Sequence, residues 1–146
     1  MIYYIAELVA DTERSGLFDV LHASGVLESR VESKLAEVGL SIAKLAALHQ
    51  LTRAGDSLPL GQLAERLSCV KSNVTQLVDR LEADGLVSRE GDPNDRRSRL
   101  AVLTAAGRKA YLKGTEIQGQ AEKELFNVLS ADESKKLHEL LAKLQQ

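Results

Sequence analysis

The stretch that decides the fold is "VKSNVTQLVDRLEADGLVSREGDPNDRRSRLAVLT", Val70 to Thr104. Its period changes halfway. In the first half, Val70, Val74, Leu77, Val78 and Leu81 recur on one helical face. Gly85 follows, where a helix can close on a left-handed residue. Beyond it, "LVSRE" and "SRLAVLT" have strand character and flank "GDPND". Pro93 suits the second position of a turn, with Asn94 and Asp95 after it. A helix over 71–84 running into a β-hairpin is expected.

Upstream, "LGQLAERL" follows Pro59 and puts Leu60, Leu63, Ala64 and Leu67 on one face. Only "SCV" separates it from the next helix. Before it, Ser41 can cap a helix from Ile42 to Ala54, closed by Gly55. A longer apolar series, Leu17, Val20, Leu21, Leu27, Val31, Leu35 and Val38, ends at Gly39. Downstream, Thr104 can cap a helix from Ala105 to about Leu129. Ser130 or Asp132 opens a last one, with Leu137, Leu140, Leu141 and Leu144 on one face. Helix, three-residue turn, helix and hairpin make a winged helix-turn-helix. The expected fold class is mainly α with a two-stranded β wing. Residues 41–104 are expected to hold the winged helix-turn-helix core, between helical segments 1–40 and 105–146.

Bulk composition agrees with helix. Apolar residues make up 44% and aromatics 3%, so the core must be leucine, valine and alanine. The net charge is −2, so only a local patch can favour nucleic acid. One cysteine excludes an internal disulfide framework and fits a reducing compartment. "MIYYIAELVADTERS" does not read as a secretion signal, and no run approaches the roughly 18–20 apolar residues of a membrane span. A cytoplasmic protein is expected.

On a helical wheel the face of 71–84 opposite the apolar one carries Ser72, Gln76 and Asp79, flanked by Asn73, Thr75 and Arg80. A recognition helix sets its first turns on base edges in the major groove. Gln and Asn pair with adenine in two-pronged fashion, and Thr offers a methyl to thymine. Asp79, Glu82 and Asp84 point the other way, towards a solvated helix or a winged-helix module that binds protein instead of DNA. The hairpin weighs for DNA. From Arg96 to Gly114 there are six basic residues, Arg96, Arg97, Arg99, Arg108, Lys109 and Lys113, and no acid. Such a strip suits phosphates. An arginine at the turn can enter a narrow minor groove, and Asp95 can hold the Arg97 guanidinium for it.

The segment Leu60 to Arg108 resembles the winged-helix core of MarR-family transcriptional regulators. "LAERL", "VTQLVDRLEADGLV", "DPNDRR" and "LTAAG" occur in that family's order and spacing, and "GLSIAKLAAL" matches moderately. The resemblance implies a homodimer on double-stranded DNA, a pseudo-palindromic operator with half-sites about one helical turn apart, and the action of a repressor. It implies base or backbone contacts by Lys71, Ser72, Asn73, Thr75, Gln76 and Arg80. On the wing it implies a minor-groove Arg97 oriented by Asp95, beside Arg96 and Arg99. Leu125, Leu129, Leu137, Leu140, Leu141 and Leu144 are the expected dimer seam. A small-molecule effector is implied between dimer layer and winged domain, near His22, Leu45 and His49. In this chain Leu45 stands where many members carry an aromatic. Ser68, Cys69 and Val70 stand where the family often has Gly, an apolar residue and a helix cap.

The remaining candidates read as structure. Cys69 takes an apolar turn position, the usual role of a free cysteine. The three histidines, His22, His49 and His138, show no metal-ligand spacing, so no metal and no cofactor is expected. No nucleophile–base arrangement, phosphate loop or carboxylate pair suggests an enzyme.

Overall fold

The computed structural model describes residues 16–67 and 73–146. Six helices and three strands follow in the order α1 (Gly16–Ala36), α2 (Ile42–Arg53), β1 (Ser57–Pro59), α3 (Leu60–Arg66), α4 (Val74–Ala83), β2 (Val87–Asp92), β3 (Asp95–Leu103), α5 (Ala105–Phe126) and α6 (Ala131–Leu144). They fall into two compact units. Among the described residues, one takes in 16–31 and 118–146; the other is Glu32–Ile117.

The unit Glu32–Ile117 is the winged helix-turn-helix. Its core is almost wholly aliphatic: Leu35, Leu48, Leu51, Leu63, Val78 and Leu81 are fully buried, and Leu45, Leu58, Leu77, Val87, Ala101 and Leu103 nearly so. No polar residue is buried among the described residues. The expected core face of α4 is the one that packs.

The helix ends follow from local chemistry. Ser41 Oγ accepts from the Lys44 N–H at 3.1 Å, capping α2, and Glu32 Oε1 accepts from the Ile42 N–H at 2.9 Å. The expected glycines close the elements with left-handed φ: Gly39 at 74°, Gly55 at 80° and Gly85 at 73°. Thr104 caps α5 by accepting from the Gly107 N–H at 3.0 Å, and its hydroxyl donates to the Gly85 carbonyl at 2.7 Å. The bond to Gly85 ties the start of α5 to the end of α4.

Two expectations are corrected. The helix expected over 71–84 begins at Val74, not Lys71. Asn73 is its N-cap, and Asn73 Oδ1 accepts from Thr75 N–H at 3.0 Å and Gln76 N–H at 3.4 Å. Asn is among the strongest capping residues, so the helix starts where a cap exists rather than where the apolar period begins. Ser68, Cys69, Val70, Lys71 and Ser72 lie outside the described residues. The sheet has three strands rather than two, in the antiparallel order β1-β3-β2. Leu58 of β1 pairs with Ala101. Pro59 ends this edge strand, where the missing N–H costs no ladder bond.

In the unit of 16–31 and 118–146, Ser130 and Glu133 form a full capping box at the start of α6. Glu133 Oε1 accepts from the Ser130 N–H at 2.9 Å, and Ser130 Oγ accepts from the Glu133 N–H at 3.1 Å. Among the described residues, none of the four expected seam leucines of α6 is fully covered. Leu137 and Leu141 are half-buried, Leu140 and Leu144 are exposed, and α6 buries no residue.

Candidate nucleic-acid interface

Asn73, the N-cap of α4, and Thr75, Gln76 and Arg80 on the helix are all exposed. The Asn73 carbonyl oxygen is engaged in capping, which leaves its amide NH2 to donate outward. Gln76 and Arg80 share a polar recess of about 270 Å³ with Ser41, Lys44 and Asn73. The N-terminus of α2 therefore borders the same surface as the first turns of α4.

The acids that favoured a non-DNA reading are not free. Arg89, on β2, reaches back across α4. Its Nη2 lies 2.5 Å from Asp79 Oδ1 and donates to the Thr75 carbonyl at 3.3 Å; its Nη1 is 3.4 Å from Glu82 Oε1. Its backbone N–H donates to Glu82 Oε2 at 3.1 Å. Asp84 is taken by Lys44 at 2.7 Å, and Lys44 also donates to the Gly39 carbonyl at 3.2 Å. All three carboxylates are thus paired by cations from neighbouring elements. Sequence reasoning missed both cations. The signal was legible for Arg89: it stands two residues after Val87, so strand alternation puts it on the face that Val87 buries. An arginine there needs acids opposite, and α4 supplies them.

The wing turns at Pro93–Asn94, with Asp92 Oδ1 accepting from the Asn94 N–H at 2.9 Å. A register irregularity at Gly91/Asp92 bends the tip. Asp95 Oδ1 accepts from the backbone N–H of Arg97 at 2.9 Å. The acid therefore fixes the main chain of the turn, and no ion pair joins it to the guanidinium. Arg96, Arg97 and Arg99 are exposed, and none has a side-chain partner among the described residues. Alternation along β3 puts Arg97 and Arg99 on one face and Arg96 on the other.

The rest of the basic strip divides. Arg108 closes onto Asp56 through a tight ion pair, with Nε donating to Oδ2 at 3.1 Å. Lys113 lies 3.4 Å from Glu116. Lys109 has no ion pair among the described residues. The uncompensated charge is concentrated at the wing.

Two of the expected effector residues, Leu45 and His49, lie in the Glu32–Ile117 unit. Leu45 is buried against α5, where a Cβ on Gly114 would lie 2.6 Å from Leu45 Cδ1. His49 Nδ1 is 2.9 Å from the Tyr111 hydroxyl, a partner that sequence reasoning did not name. His22 is exposed on α1, in the unit of 16–31 and 118–146. No group of three metal-ligating side chains occurs among the described residues. No helix among them is long and apolar enough to cross a membrane.

A family model described as the MarR family matches residues 38–98. The chain is 37% identical over 107 residues to an uncharacterised HTH-type transcriptional regulator, YkoM, of Bacillus subtilis, a match covering 73% of this chain and 69% of that protein. It is 31% identical over 136 residues to the HTH-type transcriptional regulator MhqR of the same organism, covering 91% of this chain and 92% of MhqR. Among solved structures, a mutant MarR from E. coli complexed with operator DNA is similar with a TM-score of 0.75 at 27% identity, over 89% of this chain and 94% of that one. A polar helix face with its acids paired, an arginine-tipped wing and these likenesses together place the chain in the MarR family of winged-helix transcriptional regulators, which are not enzymes.

Proposed function

We propose that the protein binds a short pseudo-palindromic operator as a homodimer and represses transcription by occupying it. One observation carries the reading: Arg96, Arg97 and Arg99 stand exposed on the wing with no partner among the described residues, while the acids of the adjacent α4 are paired. Phosphate contacts supply much of such affinity and base contacts supply its selectivity. Gln76, Asn73 and Thr75 read bases, with Lys71, Ser72 and Arg80 holding the backbone beside them. Arg97 enters the minor groove, on a turn that Asp95 stiffens. The described elements suffice for control by occupancy, because binding alone excludes other proteins from the same duplex.

Dimerisation falls to the leucines of the last two helices and of the turn between them, Leu125, Leu129, Leu137, Leu140, Leu141 and Leu144. The exposed ones among them would be covered by a second copy. A small-molecule effector acts through α2, near Leu45 and His49. The physical route is short: α2 meets α5 through His49 and Tyr111, and meets the end of α4 through Lys44 and Asp84. Whatever shifts α2 on α5 therefore shifts the seat of α4.

The test is selection of binding sites from a random duplex pool at stated salt, with Arg97→Ala in parallel. Enrichment of one inverted repeat is expected. Arg97→Ala should bind it about ten-fold more weakly or worse, the worth of a charged hydrogen-bonded contact. No enriched sequence, with both proteins behaving alike, would sink the reading. A reporter carrying the selected repeat at its promoter then gives the sign of control, with lower output expected when the protein is present.

A further inference from the structure

The side chain of Arg89 is only 19% exposed, whereas its partners Asp79 and Glu82 are 57% and 45% exposed. Thr75, Asp79 and Glu82 lie four and three residues apart, within about 60° of the helix circumference. One guanidinium thus covers a whole edge of the polar arc of α4, the edge next to the wing. Gln76 and Arg80 occupy the remainder of that arc and stay open. Without Arg89, two carboxylates would stand on the helix meant to enter a groove lined by phosphates, and like charges at that range repel strongly when little salt screens them.

We propose that Arg89 is a charge mask: it neutralises Asp79 and Glu82 so that α4 can approach DNA, and it does so from beneath the helix without touching the nucleic acid itself. It is a positioning residue. The geometry favours this role over direct phosphate contact. The two η nitrogens already serve Thr75, Asp79 and Glu82, and the side chain is mostly covered. An arginine is needed because a planar fork can span two carboxylates and a carbonyl, which a lysine's single ammonium cannot. The mask also explains how acids come to stand on a DNA-reading helix: once paired, they hold the wing to it.

This inference rests on the proposed DNA binding, and the experiment separates the two. The probe is the duplex enriched by the parent protein, titrated at several salt concentrations with the parent, Arg89→Gln, Arg89→Gln with Asp79→Asn and Glu82→Gln, and Asp79→Asn with Glu82→Gln alone. Thermal melting checks that each is folded. Arg89→Gln is expected to bind about 10- to 100-fold more weakly, with a shallower dependence of affinity on salt. The triple variant, which lacks both the mask and the charges it masks, should return to within about three-fold of the parent and regain its salt slope. The double variant unmasks Arg89 and should bind at least as tightly as the parent. If Arg89→Gln is too unstable to titrate, the double variant decides alone, and weaker binding by it overturns the proposal. A triple variant as weak as Arg89→Gln would show that the arginine touches DNA or merely holds structure, and would overturn the mask. Arg89→Gln binding like the parent would do the same. If the parent itself enriches no duplex, the proposed function fails rather than the mask.

Discussion

Gly107 shows how much a single missing methyl can decide. A Cβ at this position would lie 2.1 Å from the Leu86 carbonyl oxygen and 2.7 Å from Leu103 Cδ1. Neither neighbour has room to move: Leu103 is buried, and the Leu86 carbonyl already accepts from the Thr104 N–H at 3.1 Å. The sequence carried this as the "LTAAG" motif, but its reason was not legible there. A glycine in the first turn of a helix looks unfavourable by propensity, and only the approach of α5 to the α4–β2 junction makes it necessary. Gly107→Ala should therefore destabilise the protein by about 2 kcal/mol, despite the roughly 1 kcal/mol that alanine gains over glycine by helix propensity. Urea unfolding followed by circular dichroism measures it. A stabilised variant would mean that the contact relaxes freely. The paired acids of α4 make a similar point. Asp79 and Glu82 read as solvated charges because their partner comes from another element, and a wheel shows one helix at a time.

At the scale of elements, local signals were read well and distant ones were not. The caps at Ser41, Thr104 and Ser130 follow from a hydroxyl before an apolar run, and each is made. The start of α4 lies three residues after the expected one, because the periodic pattern extends past the residue that can cap. Strand β1 was invisible: three residues carry no period, and its pairing with β3 joins Ser57 to Val102. Element α6 offers a test of a local signal. Hydrogen bonds from Ser130, the backbone N–H first and then the side chain, hold the Glu133 carboxyl below the ordinary glutamate pKa. A depressed folded-state value means the carboxylate's support of α6 is complete above the unfolded value and fades as pH falls through the folded one. In an NMR titration the Glu133 carboxyl should therefore report a midpoint below that of exposed glutamates. Ser130→Ala, which removes the reciprocal cap, should raise it. A midpoint unmoved by that substitution would show that the box does not set the titration.

At the scale of the whole molecule, apolar surface is left bare among the described residues. Leu140 is 46% exposed, Leu144 70% and Val128 80%. Leu137, Leu140, Leu141 and Leu144 repeat at i, i+3, i+4 and i+7, the stripe by which a helix packs on something. A stripe of this kind in α6, which buries no residue of its own, is suited to packing on a second copy. Covering each leucine fully is worth about 1.5–3 kcal/mol, so a few together outweigh much of the entropy lost on association. The consequence reaches the wing, because two half-sites are bound with high apparent affinity only when the two reading heads are joined. Leu140→Glu with Leu144→Glu should leave the Glu32–Ile117 unit folded but give a monomer by sedimentation equilibrium. On a duplex carrying both half-sites its affinity should fall by about 100-fold or more. On a duplex carrying one half-site it should match the parent. That contrast distinguishes loss of pairing from loss of the reading surface: equal weakening on both duplexes would mean that the α6 leucines support the fold of the chain, and that the second copy is held elsewhere.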